Sequence, residues 1–205
     1  MSDETFRAFL AAPLDPGTAR ALEAAAREEI AASGEEGWRA TPAERIHLTL
    51  KFLGETPLRL VPDLRAALAG AAAPVDPFPV GFGGWIRLPG PRDPRVLAVG
   101  VSDPTGTLPR LAALLEERAG FLGFPRESRP FLSHATVARR RGGRGRGAGR
   151  GVHGPASGRV AAAIPGSTPG RIVVDRIVLM KSTLGPDGPA YEVVEEAALG
   201  AGPSG

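Results

Sequence analysis

The chain has three histidines, and two of them stand two residues ahead of a threonine: His47-Leu48-Thr49-Leu50 and His134-Ala135-Thr136-Val137. Both quartets lie in apolar, β-prone runs. Side chains at i and i+2 of a strand point the same way, so each quartet offers an imidazole and a hydroxyl on one face. Imidazole titrates near pH 6.5, so at physiological pH one copy can be protonated while the other is neutral. Two such rings facing one cleft make an acid and a base, and the hydroxyls beside them can donate to oxygens held between the rings. That arrangement suits an anionic, two-sided substrate, and phosphodiester cleavage fits best. One imidazole would deprotonate the attacking water while the other protonates the leaving oxygen in line with it. Each transfer is worth about 10²–10⁴-fold in rate, and a nearby cation would stabilise charge building on the phosphoryl oxygens. This chemistry calls for no metal and no cofactor. Either histidine alone reads as a buried ring satisfied by hydrogen bonds; the matched pair carries the chemical reading. His153, outside the pattern, reads as a loop histidine.

The elements that must position these residues alternate along the chain. Thr5 to Ala12 reads as a strand and Gly17 to Ala32 as a helix ended by Gly34. Arg45 to Phe52 alternates cleanly, with Ile46, Leu48, Leu50 and Phe52 on one face and Arg45, His47, Thr49 and Lys51 on the other, before Gly54 breaks the run. A helix over Pro57 to Ala73, strands at Phe78 to Leu88 and Val96 to Val101, and a helix over Thr107 to Ala119 follow. Phe131 to Arg139 is the second motif strand. Arg171 to Lys181 and Ala190 to Glu195 read as a terminal hairpin across Gly185-Pro186-Asp187-Gly188. The motifs lie 87 residues apart, from 47 to 134, so the layout suggests a duplicated unit in which each half lends one strand to a central groove.

A chain of 205 residues suits one domain of two lobes, expected over 1–199 with a disordered tail at 200–205. Its 28 glycines and 21 prolines imply many loops. With no cysteine there is no disulfide framework, thiolate nucleophile or cysteine zinc site. The acidic start, Met1-Ser2-Asp3-Glu4, lacks the basic opening of a secretory signal, and no apolar run reaches the roughly 20 residues of a membrane span. A cytoplasmic protein without membrane association is the simple expectation, and a monomer is the default. The net charge of +3 is uneven: six arginines and no acid fall between Arg139 and Arg150, so the rest is mildly acidic. The glycine- and arginine-rich stretch at about 140–151 reads as a flexible loop that would attract polyanions such as RNA, or as a solvated loop.

These residues together resemble the 2H phosphoesterase superfamily, and within it the RNA 2′,3′-cyclic phosphodiesterases, also described as 2′-5′ RNA ligases. The likeness covers most of the chain. It includes Arg7-Ala8-Phe9-Leu10-Ala11 with Pro13, Trp38 ahead of the run from Ile46 to Glu55, and Pro94-Arg95-Val96-Leu97 with Val99-Gly100-Val101. It continues through Leu122-Gly123-Phe124-Pro125, Arg129-Pro130-Phe131 before the second motif, and the spacing of Ser182, Leu184, Gly188 and Tyr191. The resemblance implies an α+β fold, bilobed and pseudo-symmetric, with antiparallel sheets lining a central cleft and helices outside. It implies metal-independent hydrolysis of an RNA terminal 2′,3′-cyclic phosphate to a 2′-phosphate, with reversible 2′-5′ ligation as a side activity and tRNA fragments among the RNA partners. It gives His47 the part of general acid to the leaving 3′ oxygen and His134 that of water activator, while Thr49 and Thr136 stand as substrate ligands on the strand geometry above.

Arg139 matches the family's arginine five residues past the second histidine, a phosphate ligand. Its odd offset would put it on the wrong face of a regular strand unless the strand ends or bulges. Arg140 and Lys51 have the favourable parity and stand as reserve cations, and Phe9 either stacks a nucleobase or fills the core. Two residues depart from the family: Ser133 where a proline commonly stands, and Ala135 in place of a larger apolar residue. Rival readings are a non-catalytic RNA-binding module, a metal-dependent hydrolase, and a phosphodiesterase for a small cyclic nucleotide or ADP-ribose cyclic phosphate.

Overall fold

Capping chemistry sets the helix ends. Asp15 takes the backbone N–H of Thr18 at 2.9 Å, Pro16 occupies the first turn, and Gly34 closes the other end with φ of 62°. This fixes α1 at Pro16–Ser33. The structure, a computed structural model, describes residues 4–90, 92–140, 170–186 and 188–201. Its other helices are α2 (Val61–Ala72) and α3 (Thr107–Phe121), the latter opened by Asp103, which accepts from the N–H of Leu108. The strands are β1 (Thr5–Pro13), β2 (Trp38–Ala40), β3 (His47–Pro57), β4 (Phe78–Leu88), β5 (Val96–Ser102), β6 (His134–Arg140), β7 (Ile172–Val174), β8 (Arg176–Gly185) and β9 (Gly188–Ala198).

They form one antiparallel sheet in the order β7-β4-β5-β6-β3-β1-β8-β9, with β2 added beside β6. The order is palindromic about the β6–β3 seam. The register repeats as well: Phe9↔Phe52, Leu10↔Lys51, Ala11↔Thr49, Ala12↔Leu48 and Pro13↔His47 in the first half become Val96↔Arg139, Leu97↔Ala138, Ala98↔Thr136, Val99↔Ala135 and Gly100↔His134 in the second. Every residue of the second set lies 87 positions beyond its counterpart, so the duplication suggested by the two motifs extends to the backbone.

One face of the sheet packs on all three helices. Their stripes, Leu22 and Ala26, Leu64 and Leu68, and Leu108, Leu111 and Leu115, join Leu10, Leu48, Leu50, Leu97, Val99 and Val137 in the main core. Truncating any one of these buried leucines to alanine would cost about 2–5 kcal/mol. The other face carries two small strand-only clusters, Phe9, Ala11 and Val178 on one side and Ile86, Leu88, Val96 and Ala98 on the other. The groove runs between them, helices outside, as expected.

Three differences from the sequence reading bear on the site. The strand β3 continues through Gly54, which adopts φ of 76°, where a break was expected. The expected helix at 57–73 begins with a tight 3₁₀ turn at Leu58–Leu60. The strand β2 was not foreseen, because three residues are too few to show a period.

Candidate active site

The strands β3 and β6 meet at the pair Leu48↔Ala135. Leu48 and Ala135 are buried on the core side of that seam, so the residues flanking them, His47 and Thr49 on β3 and His134 and Thr136 on β6, alternate to the other face. All four polar side chains therefore share the groove face, two from each side of the seam. Ala135 is fully buried at the centre of this pseudo-twofold, where a small residue lets the strands close.

Both rings are held the same way. Nδ1 of His47 lies 2.9 Å from the carbonyl of Arg45, and Nδ1 of His134 lies 2.8 Å from that of Leu132. A carbonyl oxygen can only accept, so Nδ1 carries the hydrogen in each ring and Nε2 is left for proton transfer. The surroundings differ. Phe9 stacks on His47 with ring centroids 4.8 Å apart, and Tyr191 presents its edge at 5.2 Å. This enclosure pushes the His47 pKa down to about 4, and the positive charges of Arg139 and His134 push the same way against the Arg45 carbonyl. His47 is thus neutral in the free protein at neutral pH.

Each motif strand bulges at the residue after its threonine. Leu50 is extra between Thr49 and Lys51 relative to β1, and Val137 is extra between Thr136 and Ala138 relative to β5. The bulge reverses the parity that alternation predicts. Arg139 comes round to the groove face, where its partner Val96 belongs to the groove-side cluster and its charge reaches His47. Lys51 turns away instead: its side chain is buried, with Nζ donating to the Pro125 carbonyl at 2.8 Å and paired to Glu116 at 2.9 Å. Lys51 is no groove cation. Arg140 is also carried off the groove face, its Nε donating to the Glu36 carbonyl at 3.3 Å and its guanidinium 6.0 Å from the Trp38 ring centre. Phe9 is 4% exposed beneath His47, so it belongs to the wall of the site and offers no free surface to a base.

The sequence reading missed three components: the two upstream carbonyls, the Tyr191 edge and β2. Tyr191 had only its spacing from Ser182 as a signal, and Ser182 is indeed its partner across β8 and β9. Among the described residues no three His, Asp or Glu side chains cluster as metal ligands would. His153 and the basic stretch from Arg141 onward lie outside the described residues.

The family model of the 2′-5′ RNA ligase superfamily matches residues 15–185, spanning both motifs. The chain belongs to this superfamily, the 2H phosphoesterases. A superfamily member from Methanothermobacter thermautotrophicus, named RNA 2′,3′-cyclic phosphodiesterase, is 30% identical over 193 residues, covering 92% of this chain and 96% of its own. One from Thermus thermophilus with the same name is 33% identical over 169 residues, covering 80% of this chain and 76% of its own. A crystal structure of a Thermus thermophilus protein superposes with a TM-score of 0.73 at 28% identity, covering 95% of this chain and 98% of that one. Escherichia coli LigT complexed with NADP+ gives 0.67 at 25% identity, covering 96% and 99%. The α+β fold implied by the resemblance is the fold observed, shared with these solved structures.

Proposed function

We propose that the protein hydrolyses the 2′,3′-cyclic phosphate at an RNA end to a 2′-phosphate, using His47 and His134 as its proton-transfer pair without a metal ion. The observation that carries this reading is the matched pair of imidazoles, each fixed through Nδ1 by a carbonyl two residues upstream, on two strands that meet at Leu48 and Ala135. Water adds to phosphorus, the bond from phosphorus to the 3′ oxygen breaks, and the water's proton leaves to one Nε2 while the other protonates O3′. Thr49 and Thr136 donate to the non-bridging oxygens, and Arg139 offsets their charge. The names of the relatives support the substrate class.

The superfamily resemblance makes His47 the acid and His134 the base. With a pKa of about 4, His47 must gain its proton as the phosphate enters, since that anion favours the charged ring against its burial and against the Arg139 charge. In 2′-5′ ligation a 5′ hydroxyl takes the place of the attacking water, so the two rings keep their parts, and only the reverse cleavage of the 2′-5′ bond to the cyclic phosphate exchanges them.

The test is a chelator-treated assay on an RNA oligonucleotide ending in a 2′,3′-cyclic phosphate, resolving 2′- from 3′-phosphate products. Conversion to the 2′-phosphate is expected, with His47→Ala and His134→Ala each losing about 10²–10⁴-fold. Full activity in either folded variant, or dependence on added metal, would overturn the reading.

A further inference from the structure

The strand β2 lies outside the palindrome and is paired to β6 past the catalytic residues, with Trp38↔Arg140, Arg39↔Arg139 and Ala40↔Ala138. Residues directly opposite across an antiparallel pair share a face, with Cα atoms about 4.5–5.5 Å apart. Trp38 and Ala138 pack with the main core, so Arg39 and Arg139 project on the groove side, and both are exposed. Like charges directly opposite each other destabilise a sheet. Among the described residues no acid forms an ion pair with either of them; the nearest acid by sequence with a defined partner, Glu35, is engaged by Arg87 and the Trp38 indole N–H. Two arginine side chains thus leave directly opposed backbone positions on the groove side, with no ion pair to an acid among the described residues, three residues beyond Thr136.

The two ends of the groove differ in kind. The positions equivalent to Arg139 and Val96 in the first half are Phe52 and Phe9, so that end is closed by aromatic rings. The cationic end is the one suited to a second anion.

We propose that Arg39 holds the phosphodiester preceding the reacting end of a single-stranded RNA, beside the reacting phosphate that Arg139 serves, making Arg39 a specificity-determining residue that favours a polynucleotide over a mononucleotide. This rests on the proposed reaction and assigns its substrate a length. Arginine suits the task because its planar fork meets two phosphate oxygens at once, which a lysine cannot do.

The test compares kcat/KM on an oligonucleotide and on a mononucleotide, each ending in a 2′,3′-cyclic phosphate, for the wild type, Arg39→Gln and Arg39→Lys. The oligonucleotide-to-mononucleotide ratio should fall about ten-fold in Arg39→Gln, as expected for a lost charged hydrogen bond, with partial recovery in Arg39→Lys. The slope of log kcat/KM against log salt on the oligonucleotide should shrink by about 0.7, the contribution of one phosphate contact to a single strand. A ratio and slope unchanged, or equal losses on both substrates, would overturn the assignment. A wild type that turns over neither substrate would instead overturn the proposed reaction. The clamp is then read by anisotropy of a labelled RNA with a terminal phosphate, where an unaltered salt slope in Arg39→Gln refutes it.

Discussion

Replacing Lys51 with methionine separates the strand alternation read from sequence from the bulged strand of the structure. The side chain of Lys51 is 0% exposed, with Nζ shared between the Glu116 carboxylate and the Pro125 carbonyl. Removing one partner of a buried pair costs about 3–5 kcal/mol. Glu116 is one-quarter exposed and keeps the N–H of Glu127 at 2.9 Å, so its stranded charge is partly solvated and hydrogen-bonded. Methionine preserves most of the stem's volume. A loss of about 2–4 kcal/mol follows, which in a chain of this size lowers Tm by roughly 4–16 °C. Thermal and urea melts of Lys51→Met would measure it, and Lys51→Met/Glu116→Leu should recover at least half, because an apolar pair replaces a charge left alone. Since Nζ points away from the groove, kcat/KM on the cyclic-phosphate RNA should stay within about three-fold of wild type at temperatures where the variant is folded. An unchanged Tm with a hundred-fold loss of activity would refute the reasoning and restore Lys51 to the groove.

His47 should titrate near pH 4 by NMR, and Arg139→Gln should raise its midpoint by removing one of the charges that lower it; a midpoint near 6.5 in both proteins would contradict the enclosure. Because the folded pKa lies below the unfolded value of 6.5, the unfolded chain binds the extra proton, so stability is complete above pH 6.5 and falls as pH drops toward 4. The loss is at most about 3 kcal/mol and should flatten in His47→Gln, checked by urea melts between pH 4 and 7. Thr136→Val should lower kcat by about 10²-fold if its hydroxyl donates to a phosphoryl oxygen; an unchanged kcat would assign that hydroxyl a purely structural part.

The sequence showed the two imidazoles and their threonines because an i, i+2 spacing in a strand leaves a visible pattern. It also showed most helices, whose caps at Asp15 and Gly34 are local signals. It could not show the bulges at Leu50 and Val137, since one extra residue in a ladder is defined only by the partner strand. That single omission misplaced Lys51 and Arg140 together, and it left Arg139 dependent on a kink that the structure supplies. The wall made by Phe9 and Tyr191 joins residues 182 positions apart, held together through β8, and nothing local encodes it. Trp38–Ala40 carried no period, so the strand that brings Arg39 to the groove was invisible until β6 paired with it.

The uniform offset between the halves gives this molecule an internal control. Residues n and n+87 in the paired strands share register, bulge and face; some are identical, as the motif histidines and threonines are, and others differ, as Phe9 and Val96 do, or Phe52 and Arg139. An effect of side-chain chemistry can therefore be separated from one of backbone position by exchanging the two occupants within a single chain. Where a trait follows the residue across the exchange, chemistry set it; where it stays with the position, the surrounding half did. The surroundings of the two imidazoles can be compared in this way on what is nearly the same scaffold, used twice.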